Sequence, residues 1–308
     1  MGCLRHVAGA FSFLEAEHLV GRSGLAVLRI DESYVSAQHA LIRWTGSSWE
    51  LKDLGSRNGT NLNDMAIKPG QAIGLLRGHR MSFGSEAQTW ELVDDSPPRA
   101  MVVPLDRPGE PLFIEGDILA LPSPTDPRDT VFRAADGAWH VEREDRIIAL
   151  EGHAVFESSG RQYRFSCPEL APDTSAAGGV NLLDRDLDSV RLVFRVSRDE
   201  EHVEVVVQRR GESVELGSRV HNYPLLLLAR QRLSDAASGM NDHSCGWVYL
   251  DEFVRSLKVT PERVNMDVYR IRRQFAGLGV SEPARIIERR PRTRQLRIGT
   301  GRLALETI

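Results

Sequence analysis

The chain has 308 residues, enough for two or three domains that each bury a core of their own. Its 41% hydrophobic and 27% charged residues exclude a wholly disordered, collagen-like or disulfide-scaffold protein. A net charge of -4 speaks against a nucleic-acid partner only if the charge is spread evenly, because duplex binding sets positive charge against phosphate.

From residue 11 to about 93, short apolar bursts (11–14, 25–30, 40–44, 49–51, 73–76, 90–93) alternate with Gly, Ser and Asn clusters and show no helical period. This pattern predicts a β-sandwich over residues 1–95. Residues 94–111 hold five of the 15 prolines and read as a linker, bounded at 96–111, or an extended crossing piece. A β-rich middle region follows over 112–185, with PSPTDPRD as a turn-rich interruption and WHVE, RIIAL, AVFES and QYRFS as strands. Residues 139–165 echo 49–83 in their Trp, Gly-Arg and Phe positions, so this region reads as a generic β spacer, with a degenerate repeat of the first domain as the alternative. Residues 171–179 (APDTSAAGG) read as a flexible joint.

Beyond it the pattern changes. RLVFRVS, HVEVVVQRR and ESVELGS predict a meander with an Arg210-Gly211 hairpin, followed by helices over 223–237, 250–257 and 260–276. Thr260 is the expected N-cap of the last helix, with Pro261 in its first turn and Gly277 and Gly279 at its end. A hairpin with seven arginines between Arg285 and Arg302 closes the fold. The fold class is multidomain and mainly β, with a C-terminal α+β part.

Three polar clusters interrupt the first β pattern: Gly21-Arg22-Ser23, Ser36-Ala37-Gln38-His39, and 53–60 (DLGSRNGT) followed by Asn63. Each falls between strands, where a sandwich carries binding residues. Two guanidinium groups with hydroxyls and an amide suit a phosphate dianion, which takes charge-assisted hydrogen bonds. Gly59 supplies a backbone angle closed to other residues, while His39, Asp53 and Thr60 read as loop braces. The order and spacing of these clusters resemble the forkhead-associated (FHA) domain over residues 1 to about 95. The resemblance implies that Arg22, Ser36 and Arg57 hold a phosphothreonine phosphate and that Asn58 bonds the peptide backbone beside it. Gly21, His39, Gly59 and Asn63 would shape the loops. The implied partner is a phosphothreonine-containing protein, a Ser/Thr kinase or its substrate. Ala37 stands where many members have a polar residue, so no peptide preference is implied.

On the last helix Val264, Val268, Ile271 and Phe275 form one apolar stripe. The opposite side carries Met266, Tyr269, Arg270 and Arg273, with Asn265 and Arg272 on its flank. Arg and Asn suit base edges in a major groove. Residues from about 191 to 302 resemble the winged-helix effector domain of OmpR/PhoB-type response regulators, here bounded at 190–304. The resemblance implies Asn265, Met266 and Arg270 on bases, Arg272 and Arg273 on phosphates, and Arg290 as the wing arginine, with double-stranded DNA as partner. Paired half-sites would suit a homodimer. Glu262, Asp267 and Pro291 depart from the family, and no receiver domain precedes the helices.

Eleven arginines oppose three acids between Arg263 and Arg302, a local net charge of +8 that leaves -12 for the rest. Such segregation is the electrostatic footprint of a nucleic-acid reader. Cys3, Cys167 and Cys245 lie far apart, so neither a disulfide framework nor a metal site is expected. Without a GxSxG, P-loop, HExxH or kinase signature, and with Cys245 beside His243 in a polar loop, no enzyme and no cofactor are expected. The apolar runs are too short for a secretory signal or a membrane span, so a cytoplasmic protein without a membrane partner is expected. The function so implied is phosphothreonine-dependent signalling with DNA binding as its output, a transcriptional regulator downstream of a Ser/Thr kinase. The alternative is a scaffold whose FHA and winged-helix domains both bind proteins.

Overall fold

Alternating burial along the N-terminal strands puts every second side chain into one core. Glu17–Gly21 buries His18 and Val20, and Trp49–Asp53 buries Trp49, Leu51 and Asp53. The computed structural model describes residues 1–107, 110–134, 136–143, 146–168, 186–209 and 212–308. One sheet orders its strands as Phe11–Phe13, Cys3–His6, Thr89–Asp94, Arg80–Phe83, Thr60–Leu62 and Met65–Ala66. The other runs Leu28–Arg29, Glu17–Gly21, Ala40–Trp44, Trp49–Asp53 and Ala72–Leu75. Leu4, Val20, Ile42, Trp49, Met81, Phe83 and Leu92 join both sheets in a single apolar cluster.

Of the two readings of 96–111, a free linker is corrected, because the stretch contains a buried extended strand. Met101–Pro104 lies between Leu112–Phe113 and Arg161–Ser166, with Val155–Ser158 beyond. Its apolar run buries Met101, Val102 and Val103, and that burial outweighs the prolines on either side. The turn-rich reading of PSPTDPRD is also corrected. Ile118–Ser123 and Asp126–Arg133 form an antiparallel hairpin, and only Pro124 and Thr125 lie between them. They continue into Trp139–Glu142 and Ile147–Leu150 as a four-stranded sheet.

The strand order of the first domain recurs here. Met101–Pro104 lies between the next strand and the last strand of its stretch, as Cys3–His6 does between Phe11–Phe13 and Thr89–Asp94, and the sheet from Ile118 to Leu150 has the sequential order seen in Glu17–Gly21, Ala40–Trp44, Trp49–Asp53 and Ala72–Leu75. The long connection that carries Arg22 and Ser36 shrinks to Pro124 and Thr125, so the polar clusters have no counterpart.

The chain divides into two compact units, Met1–Ile114 with Gly152–Glu157 and Arg161–Ser175, and Glu115–Glu151 with Ser158–Gly160 and Ala176–Ile308. The second unit holds a sheet ordered Glu212–Ser218, Val203–Arg209, Arg191–Val196, Leu303–Thr307, the last two parallel. Three helices follow, α1 (Asn222–Ala237), α2 (Leu250–Leu257) and α3 (Pro261–Gly277). The Thr260 side chain accepts from the Arg263 amide and caps α3, while Lys258, left-handed at φ 54°, ends α2. A second sheet joins Val248–Tyr249, Gln295–Ile298 and Ile287–Arg290. Leu192, Phe194, Leu225, Phe253, Val268, Ile271, Phe275 and Ile298 belong to one core. The expected Arg210-Gly211 hairpin and the joint at 171–179 lie outside the described residues.

Candidate functional site

Ser36 organises the three polar clusters. Its carbonyl accepts the Arg22 amide at 2.9 Å, and its hydroxyl accepts the Arg57 amide at 3.0 Å. Both arginines are exposed, and no carboxylate among the described residues lies within ion-pair reach of either. Arg22 Nε donates to the Val35 carbonyl at 3.3 Å, which lays its stem along the second loop. Beside it, the Ser23 hydroxyl is buried without a hydrogen-bond partner. An anion at these loops would meet two guanidinium groups whose charge nothing nearby neutralises.

His39 holds this arrangement from beneath. It is fully buried, its Nδ1 accepts the Ser36 amide at 3.1 Å, and its Nε2 faces the Gly59 carbonyl at 3.1 Å. Accepting at Nδ1 requires the proton on Nε2, so the ring is the neutral Nε2–H tautomer, donating to Gly59. Burial pushes its pKa down, and the Gly59 bond and the Asp53 charge offset only part of that. Asp53 braces the third loop. Its carboxylate accepts from the Ser56 hydroxyl at 2.6 Å, the Thr60 hydroxyl at 2.7 Å and the Gly55 amide at 2.8 Å. Burial alone would raise this carboxyl, but those hydrogen bonds outweigh it and hold it below the usual range.

Asn58, expected on a bound peptide, donates from Nδ2 to the Tyr34 carbonyl at 2.8 Å and so ties the third loop to the second. Gly59 has φ +78°, the left-handed geometry its position requires. Gly21 serves by closeness, since a Cβ there would lie 2.3 Å from the Ala37 carbonyl oxygen. Asn63 accepts the Arg80 amide at 2.9 Å and braces the hairpin turn. Sequence reasoning missed Tyr34 and Gly84. Gly84 has φ +73°, and a Cβ there would lie 2.5 Å from the Tyr34 carbonyl oxygen. Its place directly after the strand Arg80–Phe83 was the available signal.

The expected DNA-contacting residues are not gathered on one open face. Arg272, assigned to phosphate, is 1% exposed and gives a two-pronged bond to Glu142 at 2.9 and 3.1 Å. Tyr269 is equally covered, packed with Ile118, Ala120, Phe132 and Ala284. Asn265 accepts from Arg289 at 2.8 Å, and Met266 is half-buried. Arg273 donates to the Tyr269 hydroxyl at 3.1 Å and lies 3.5 Å from Glu115. Arg270 is exposed on the solvent side of the helix. Arg290 lies over the Trp247 ring at 3.9 Å and donates to the His243 carbonyl at 3.1 Å. Arginine and tyrosine carry long apolar stems and so fit a docked surface as well as water, which is why periodicity alone left this face open. Cys245 is buried, and its thiol donates to the Met240 carbonyl.

Two sheets presenting unneutralised arginines on loops braced by a buried neutral histidine define an anion-reading β-sandwich. Residues 18–84 match the FHA domain family, and this stretch of the chain is an FHA domain. The FHA domain-containing protein FhaB of Mycobacterium tuberculosis is 42% identical over 45 residues, 15% of this chain and 29% of FhaB, so the chain spans less than a third of that relative's length. A solved structure described as phosphothreonine-dependent FHA domain interactions is 27% identical, covering 32% of this chain and 99% of the other with a TM-score of 0.28. EmbR of Mycobacterium tuberculosis, solved with a low-affinity phosphopeptide, is 24% identical over 32% of this chain and 25% of its own, with a TM-score of 0.29.

Proposed function

We propose that this chain reads phosphothreonine on a partner protein through its FHA loops and acts as a transcriptional regulator downstream of a Ser/Thr kinase, with no catalysis of its own. The observation that carries the first part is the double role of Ser36, which fixes the main chain of both Arg22 and Arg57. A phosphate seated there gains charge-assisted bonds to side chains whose backbones are already ordered. A phosphothreonine peptide library, compared with its unphosphorylated control, tests this reading. Selective binding that Arg22→Ala and Arg57→Ala abolish is expected. Equal binding of both libraries, or an unchanged Arg22→Ala protein, refutes it.

For the output, α2, the three-residue turn to α3 and the arginine-rich hairpin Ile287–Ile298 read as a winged helix-turn-helix. Exposed Arg270, Arg290, Arg292 and Arg294 supply basic surface suited to duplex DNA. Burial of Tyr269 and Arg272 favours a second reading, a scaffold in which both modules bind protein. Selection of genomic DNA fragments by the whole protein, with and without a phosphothreonine peptide, separates the two. Enriched sequences support the regulator, and their absence in both conditions supports the scaffold.

A further inference from the structure

We propose that the four-stranded sheet from Ile118 to Leu150 is a removable cover on α3, and that the arginines it neutralises are a contact surface for the phosphates of duplex DNA. The inference rests on the DNA-binding reading above. Three arginines of α3 and the hairpin point at two carboxylates of the covering segment. Arg272 grips both oxygens of Glu142, Arg289 Nε lies 3.5 Å from the same carboxylate, and Arg273 lies 3.5 Å from Glu115. A planar guanidinium fork takes carboxylate and phosphate with one geometry, so Glu142 occupies the place a backbone phosphate would fill.

The cover and α3 belong to one compact unit, but the main apolar core of that unit lies outside the cover. All core residues of the helical part fall between Leu187 and Ile298, with none from the sheet. The sheet meets α3 through a second, small cluster of Ile118, Ala120, Phe132, Tyr269 and Ala284. Beside that apolar cluster the same contact holds a buried ion pair between Arg272 and Glu142, and the Arg272 Nε is buried there without a partner. Such a pair recovers hydration when it parts, so it holds the cover less firmly than its burial suggests. The strands Ile118–Ser123 and Asp126–Arg133 are joined by Pro124 and Thr125 alone, whereas the connection after Glu17–Gly21 carries Arg22 and Ser36.

The test is binding of a fluorescent duplex to the full chain across a salt series. Glu142→Ala with Glu115→Ala removes the neutralising acids, and Phe132→Ala loosens the contact without changing charge. Glu17→Ala with Glu86→Ala, two exposed acids of the other compact unit, controls for net charge. Both opening variants are expected to bind more tightly than the parent, with the control unchanged. The double Glu variant should also steepen the slope of log affinity against log salt by about 2 to 3, at roughly 0.9 per freed arginine. If the parent already binds with the affinity and slope of both variants, the cover is refuted while the DNA reading stands. If no protein binds the duplex at any salt, the DNA reading fails and the cover fails with it. If Phe132→Ala matches the parent and only the Glu variant gains, charge alone is at work and the cover is refuted.

Discussion

Replacing His39 with alanine tests how the phosphate loops are ordered. The ring is fully buried, and it is the common partner of the Ser36 amide and the Gly59 carbonyl, at 3.1 Å each. Losing the ring leaves both main-chain groups unbonded. Because Ser36 and Gly59 are half-exposed, water recovers part of that cost, leaving about 1 kcal/mol for each. The vacated space, with the lost edge contact to Phe83 at 5.8 Å, adds about 2 kcal/mol. The total is about 4 kcal/mol, a large share of the ~5–15 kcal/mol that stabilises a typical domain. Urea unfolding followed by the fluorescence of buried Trp49 measures it. Phosphopeptide affinity under folding conditions should fall as well, since Ser36, which holds the Arg57 amide, and Gly59 lose their common anchor. His39 also titrates with a lowered pKa, so its contribution is complete above the unfolded value near 6.5 and declines as pH falls towards the folded one. The alanine protein should lack that decline. A His39→Ala protein within about 1 kcal/mol of the parent, with unchanged peptide affinity, refutes this account.

His18 carries a stronger pH signature. Burial, assisted by Arg164, pushes its pKa down to about 3, so between pH 6.5 and about 3 the unfolded chain takes up a proton that the folded chain refuses. Stability should fall across that window by at most about 1.4 kcal/mol per pH unit, and His18→Gln should flatten the dependence of the urea midpoint on pH. Gly21→Ala forces a Cβ to within 2.3 Å of the Ala37 carbonyl oxygen, so the Ser36 loop must shift. It should cost about 1–3 kcal/mol in thermal unfolding and weaken phosphopeptide binding more than an exposed Gly24→Ala does. Trp247→Leu removes the flat seat of Arg290 and Arg297, whose guanidinium carbons lie 3.9 and 4.6 Å from the ring centre. A loss of about 1–2 kcal/mol in denaturant unfolding is expected, and no loss would show that the stacking contributes nothing.

Much of the molecule was legible because its signals are local. Strands such as Trp139–Glu142 and Arg161–Ser166 show in their own residues, and Thr260 with Pro261 marks the start of α3 within one turn. The loops that carry Arg22, Ser36 and Arg57 belong with these, since they are polar clusters cut into a β pattern whose spacing is set by strand length. Proline density favoured a free linker at Met101–Pro104, where all four residues, Pro104 among them, are buried in a strand.

The sequence by itself therefore determined most element types, the cap of α3 and the polar clusters between strands, all encoded by preferences acting over a few residues. Only the tertiary structure decided which charges remain available. The segment +8 counted Arg272, yet that arginine meets Glu142, 130 residues away, and neither charge faces solvent. Pairing across such a distance depends on which surfaces dock. An arginine's composition is the same whether its guanidinium meets water, a carboxylate or a phosphate.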